Sequence, residues 1–287
     1  MMLIRRGRGS GVAAPSGKKL GWSFWLCIGW LTVVILGAIF ANLLPLPDPT
    51  AALGAPQNLG PSIHHLLGTD KIGQDVLSQI VFGSRVSLAV GFGATAIGLV
   101  IGGGLGLVSG FVGGWIDAFL NSVSLIFLSF PGIILAIALV TFAGHKLGVI
   151  VVALGIVATP LVFRLVRTSA QSFAQREFVA AARALGASGI RIVFREILPN
   201  VATTLVAYLF MAVGIMIFVE AALSFIGVSV PPPTPTWGVS IDQAVSDLQS
   251  NSILWIWPSL ALFFTILSLN VAGDAIRKFF GVKESFL

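Results

Sequence analysis

The chain has 287 residues, of which 56% are hydrophobic and only 10% charged, against roughly 25% charged in an ordinary soluble domain. So few charges exclude a water-covered surface around one large core and make lipid the expected solvent. The formal net charge of +6 would suit nucleic acid, but the basic residues flank apolar runs instead of forming one basic stretch, which favours a bilayer and no nucleic-acid partner.

The basic N-terminal segment, residues 1–21, carries Arg5, Arg6, Arg8, Lys18 and Lys19 ahead of an apolar run at 22–44. That run is too long for a secretory signal, and prolines follow it where a small-residue cleavage site would stand, so it is read as a retained first span. Cys27, the only cysteine, lies inside this run, so an intramolecular disulfide and a cysteine metal site are both excluded. Crossing about 30 Å of hydrocarbon takes roughly 20 helical residues. The windows that qualify are 22–44, 86–112, 118–143, 147–166, 201–228 and 253–276. They are continuously apolar without the alternation of a membrane barrel, which predicts an all-α, polytopic protein with six transmembrane helices. Residues 86–280 then form the core holding spans two to six.

With the N-terminus in the cytoplasm, alternation places the turn near Asp117, the stretch 164–200 and the tail 281–287 inside as well. Of the 17 Lys and Arg residues, only Lys71, Arg85 and Lys146 then fall outside, as the positive-inside rule expects. Trp22, Trp25 and Trp115 fall near inner ends and Trp237, Trp255 and Trp257 near outer ends, where indole rings favour the interface; Trp30 does not fit this pattern. The external loop at 45–85 opens with Pro45, Pro47, Pro49, Pro56 and Pro61, which forbid regular helix. From Asp70 to Gly83 the residues Ile72, Val76, Leu77 and Ile80 recur at helical spacing against Lys71, Gln74, Asp75 and Gln79, predicting a short amphipathic helix on the membrane surface. The second external loop, 229–252, holds Pro231, Pro232, Pro233, Pro235 and Trp237, a candidate rigid docking surface, with Asp242 and Asp247 as solvated or docking charges.

Three features carry candidate chemistry. In the second span Gly98, Gly102, Gly106 and Gly110, continued by Gly114, recur every four residues and make a stripe without side chains; close helix packing and a gating hinge are both open readings. The inner connection EFVAAARALGASGIRIVFREILPN, from Glu177 to Asn200, is too long for a turn and too orderly for a disordered link. Phe178, Ala182 and Leu185 fall on one face of a slim alanine-rich helix that fits a groove in a partner, and Gly186 is suited to end it in the left-handed conformation. Pro199 is placed to start the next span. A plain interfacial helix anchored by Arg176, Arg183, Arg191 and Arg195 is the alternative. Glu220 lies in the outer third of the fifth span, where an ionisable group is a functional candidate. It would either meet the amino end of a cargo molecule or act as a buried acceptor for a backbone amide or Arg85.

The inner segment resembles the EAA loop of ABC importer permeases: Ala181-Ala182, three residues, Gly186, then Ile197-Leu198-Pro199. Ala180 stands where the family pattern has Glu, and Glu196 where it has Ile. HHLLGTDKIGQDVLSQIVFGSRVSLAVG (His64 to Gly91) and EAALSFIGVSVPPPTPTWG (Glu220 to Gly238) are similar to segments of the dipeptide, oligopeptide and nickel group, on the branch of DppC and OppC. Leu66 replaces that branch's usual proline and Gln74 its usual arginine. The resemblance implies the type I ABC importer permease fold, with the inner helix as a coupling helix whose ATPase-facing residues are Phe178, Ala181, Ala182, Arg183, Leu185 and Gly186. It further implies a bacterial inner-membrane importer of peptides working by alternating access. The implied partners are a homologous second permease (DppB- or OppB-like), two ATPase subunits that bind the ATP and Mg, and an extracytoplasmic substrate-binding protein.

No cofactor is expected on this chain. Lys18 follows Gly17, but Gly11 and Lys19 break the G-x-x-x-x-G-K-[ST] pattern, so no phosphate loop is present. Adjacent His64 and His65, with His145 far off, lack the support of a metal site, although nickel or another small solute is the alternative cargo. A stand-alone secondary transporter is the competing class; it would call for paired interrupted helices or several intramembrane charges, and the spans offer chiefly Glu220. An intramembrane enzyme would need a nucleophile or ligand cluster, and none has the spacing.

Overall fold

The computed structural model describes residues 21–51, 57–246 and 253–279, and these contain helices and connections without a strand. In chain order the helices are α1 (Trp22–Phe40), α2 (Val76–Val112), α3 (Gly114–Leu128), α4 (Gly132–Ala143), α5 (Leu147–Ala174), α6 (Glu177–Ala184), α7 (Gly189–Ile192), α8 (Leu198–Phe225), α9 (Trp237–Ser246) and α10 (Ile256–Phe279). Five of them, α1, α2, α5, α8 and α10, hold stretches long and apolar enough to cross a membrane, and six spans result if α3 and α4 count as one broken span.

The third span is where the structure departs furthest from the hydropathy reading. Instead of one helix over 118–143, α3 and α4 meet at 85°. Pro131 has no N–H to continue the ladder and disfavours helical geometry at Phe130, so α3 closes with Phe130 N–H donating to the Phe127 carbonyl at 3.3 Å, and α4 starts afresh from Pro131. The expected amphipathic helix at 70–83 is also corrected. Residues 70–75 form a turn, Asp75 caps the next helix by accepting from the Ser78 N–H at 2.8 Å, and the helix beginning at Val76 runs on without a break as the 37-residue α2. Its polar side is not on a membrane surface, because Gln74, Asp75 and Gln79 are buried. Pro199 stands at the start of its span, in the first turn of α8, as expected. The structure adds that the chain is already helical from Gly189 and enters α8 through a π-turn at Val193–Ile197, the wide turn falling just ahead of the residue that lacks an amide donor.

The most extensive helix contact is that of α2 with α5, and the glycine stripe makes it. A methyl group built on Gly98 would lie 2.9 Å from the Ala158 Cβ, on Gly106 2.8 Å from the Phe163 carbonyl oxygen, and on Gly110 2.6 Å from that of Arg167. The two backbones therefore touch, which lipid favours because dispersion replaces the missing hydrophobic drive. Gly114 lies outside the stripe, in open space at the turn into α3. Above this seam Val90, Ala94, Ile150, Leu154 and Leu223 join α8 to the pair. Leu31, Leu88, Ile217 and Leu269 bring in α1 and α10.

The bundle's outer skin is apolar, with Val33 66%, Val100 73% and Phe142 96% exposed, as a lipid-facing surface should be. Trp22, Trp25 and Trp115 are exposed. Trp237 is not an interfacial anchor: it is fully buried, its indole N–H donating to the Ile80 carbonyl at 3.0 Å. Trp30 finds its explanation inside the bundle, donating to Thr265 Oγ1 at 3.0 Å beside the Phe264 ring.

Candidate functional site

At one end of the bundle α5 leads through Gln175 and Arg176 into α6, an eight-residue helix. Val179 is its buried anchor and packs with Val166, Ala170, Ile192 and Ile197, with Ala182 partly buried beside them. The expected face of Phe178, Ala182 and Leu185 is thereby divided. Ala182 turns inward, while Phe178, Ala181 and Leu185 form an outward stripe, Leu185 being 88% exposed. Gly186 ends α6 at φ +78°. Its N–H donates to the Arg183 carbonyl at 2.9 Å, and the Ala187 N–H reaches the Ala182 carbonyl at 3.0 Å, the paired bonds of a Schellman stop. Arg183 lies with its guanidinium 5.3 Å from the centre of the Phe111 ring, which ties α6 to the last turn of α2.

Beside α6, Asp117 in the first turn of α3 meets Arg167 of α5 as a two-pronged ion pair, Nε to Oδ1 at 2.5 Å and Nη2 to Oδ2 at 2.6 Å. Ser109 Oγ of α2 donates to Oδ1, and Gln171 Nε2 donates to Oδ2 at 3.3 Å. Three helix ends converge on one carboxylate. In the sequence Asp117 marks only a turn between two spans. The available signal was the polar pair Arg167 and Gln171, one turn apart on α5, but nothing local pointed to a partner 50 residues away.

At the opposite end the two segments expected as separate external loops form one cap. Asp70 Oδ1 accepts from the backbone N–H groups of Ile72 and Gln74 at 3.0 and 2.8 Å, and its Oδ2 accepts from Gln79 Nε2 at 2.6 Å. Lys71 Nζ donates to Ser246 Oγ in α9 at 2.9 Å. His65 Nδ1 lies 3.1 Å from Asp75 Oδ1, whereas His64 is exposed. Thr50 holds Asp48 with both its N–H and its hydroxyl, at 2.8 and 2.7 Å, which keeps that carboxyl below the usual carboxylate range. An open cleft of 640 Å³ runs between Asn42, Asp48 and Arg85 on one side and Pro233, Thr234 and Pro235 on the other. Asp242 is exposed on α9, and Asp247 lies outside the described residues.

Glu220 is fully buried beneath this cap. Ser87 Oγ of α2 donates to Oε2 at 2.9 Å and Ser224 Oγ to Oε1 at 2.6 Å, with Ser229 at 3.5 Å. Thr236 Oγ1 then donates to Ser224 Oγ at 3.1 Å and accepts from the Val239 N–H, so the carboxylate organises the junction of α2, α8 and α9. Arg85 is not its partner. It binds the carbonyls of Ala38 and Ile39 and the Asn42 side chain, closing the end of α1. Of the two roles expected for Glu220, this geometry fits the buried acceptor, with hydroxyls in place of the amide or guanidinium.

The family model described as "Binding-protein-dependent transport system inner membrane component" matches residues 102–283. This chain belongs to that family. The chain is 40% identical over 77% of its length, and 73% of the relative's, to the glutathione transport system permease protein GsiD of Pectobacterium atrosepticum. It is 37% identical over 86% of its length, and 81% of the relative's, to the dipeptide transport system permease protein DppC of Alkalihalophilus pseudofirmus. In fold it is similar to a solved structure of the MetNI methionine ABC transporter in an inward-facing conformation, with a TM-score of 0.59 and 22% identity over 71% of this chain and 97% of that one. A second crystal form gives a TM-score of 0.60 over 70% and 96%. The component is thus a multi-pass membrane protein of the ABC importer family.

Proposed function

We propose that this chain is the DppC-like membrane-spanning subunit of an ATP-driven importer that carries di- or oligopeptides into a bacterial cytoplasm by alternating access. Relatives at 37% and 40% identity named for dipeptide and glutathione transport support peptide as the cargo class. One observation carries the mechanism: α6 is fixed to the core by Val179 yet presents Phe178, Ala181 and Leu185 uncovered beyond the spanning bundle. A short rigid helix held on one side and bare on the other is suited to a groove in a separate subunit. On this reading α6 is the coupling helix and its end of the bundle is cytoplasmic. Two ATPases closing around ATP and Mg push α6, and α5 and α8, which flank it, carry the displacement into the bilayer. The second permease completes the path, and the binding protein delivers peptide to the cap at the α9 end.

The deciding experiment co-purifies the chain with its partner permease and ATPases and measures ATP turnover with each candidate binding protein, charged with a dipeptide or glutathione. Stimulation by a peptide-charged binding protein is the expected result. Solute pumping by this chain alone, or stimulation only by a nickel-charged protein, would overturn the assignment.

A further inference from the structure

The link from α2 to α3 is made by Gly113 and Gly114, both at positive φ, +67° and +61°, and a methyl group built on either would meet nothing within 4 Å. Gly113 is held by its own backbone, its N–H donating to the Ser109 carbonyl at 3.1 Å and its carbonyl accepting from the Asp117 N–H at 3.3 Å, but no side chain packs against either glycine, so the pair can turn as a swivel once those two bonds yield. Side-chain packing holds α3 only lightly: Ser124 is its one buried residue and reaches the Pro160 carbonyl at 3.5 Å, Ile116, Leu120 and Asn121 are half-buried, and Trp115, Phe119 and Ile126 are 77%, 60% and 61% exposed. What bridges the swivel is the Asp117 carboxylate, gripped at once by Arg167 and Gln171 of α5 and by Ser109 of α2. Asp117 and Arg167 are shielded, with side chains 16% and 19% exposed, so solvent weakens the pair less than it would a surface pair.

The same corner receives α6. Arg183 sits over the Phe111 ring, two residues before the swivel, and a methyl on Gly189 would lie 3.2 Å from that ring. Displacement of α6 therefore reaches the ends of α2 and α5 first. Whether α3 follows depends on the ion pair.

We propose that Asp117 and Arg167 are positioning residues for transport: they lock the Gly113–Gly114 swivel so that a stroke entering through α6 moves the broken third span together with α2 and α5. This rests on the importer reading above. Without the pair the stroke is absorbed by rotation at the glycines, and ATP is consumed with little cargo moved.

The test uses the complete complex in proteoliposomes, with Asp117→Asn and Arg167→Gln combined, since removing both charges avoids stranding one of them. Uptake of labelled dipeptide and of labelled glutathione is measured against ATP hydrolysed in the same vesicles. The double variant is expected to assemble and to lose about tenfold in uptake per ATP, the factor associated with a charge-assisted hydrogen bond, while Asp117→Glu recovers about half of the ratio. Spin labels placed at Phe119 and Leu161, both exposed, read the same event without any cargo. Their separation should hold between nucleotide-free and vanadate-trapped complexes of the native chain and broaden on trapping in the double variant. An unchanged ratio with unchanged label distances overturns the proposal, and so does failure of the double variant to assemble, which would make the pair purely structural. Absence of ATP-driven peptide uptake by the native complex refutes the importer reading itself and the lock with it.

Discussion

Replacing Gly102 by alanine probes the α2–α5 seam most directly. The added methyl would sit 2.3 Å from the Thr159 carbonyl oxygen and 3.0 Å from the Phe163 nitrogen, where a comfortable carbon–oxygen approach is about 3.4 Å. Both obstacles are backbone, so no side chain can swing aside and the helices must part by about 1 Å. Overpacking of this kind costs about 2–3 kcal/mol, and parting the helices also thins dispersion contacts at Gly98, Gly106 and Gly110. With about 2–4 °C lost per kcal/mol for a chain of this size, the variant should lose its native elution profile about 4–12 °C below the parent. The assay heats detergent-purified complex in steps and follows it by fluorescence-detected size exclusion. Gly104→Ala is the matched control: the same helix and substitution, but nothing within 4 Å of the new methyl. It should gain up to about 1 kcal/mol from helix propensity. If the two variants unfold together, the close-approach argument is wrong.

Other expectations can be checked in the same system. Gly186→Val forces a β-branched residue into a left-handed torsion and should leave insertion and complex assembly intact while lowering peptide uptake severalfold; normal uptake in vesicles would count against α6 as a lever. Glu220→Ala strands the hydroxyls of Ser87 and Ser224 and should cost about 1–3 kcal/mol in thermal stability. Glu220→Gln, which keeps an acceptor oxygen, should retain most of the stability and an unchanged apparent affinity for cargo. A lowered affinity with full stability would restore a cargo-binding role. The Asp48 carboxyl, held below the ordinary range by Thr50, should keep its hydrogen bonds as pH falls through the range where other carboxylates protonate and lose them only below it. Titration of the Thr50 amide signal reads this, and loss at an ordinary carboxylate pH would contradict it.

Hydropathy foretold the helices that lipid selects, because continuous apolar runs such as those in α1 and α5 have no other stable fate in a bilayer. It did not foretell how those helices end or bend. A window average cannot register that Pro131 removes one amide donor at the centre of an otherwise perfect span. Nor can it register that Asp70 waits to receive Gln79 and so draws the start of α2 beyond the membrane. The glycine stripe was legible because a four-residue repeat is a local pattern, and in the structure its four glycines lie against the backbone of α5. The Gly186 stop was equally local. The partners of Glu220 and Asp117 were not legible, since Ser87 is 133 residues from Glu220 and Arg167 is 50 from Asp117. Such contacts follow from tertiary packing, on which local spacing is silent.

The seam between α2 and α5 also bears on temperature. A core driven together by water loses cohesion on cooling, because that drive is entropic near 25 °C. Backbones in van der Waals contact within lipid draw instead on dispersion enthalpy, together with the entropy of the lipid they release. This part of the molecule should therefore stay joined in the cold, when assemblies that rely on water weaken.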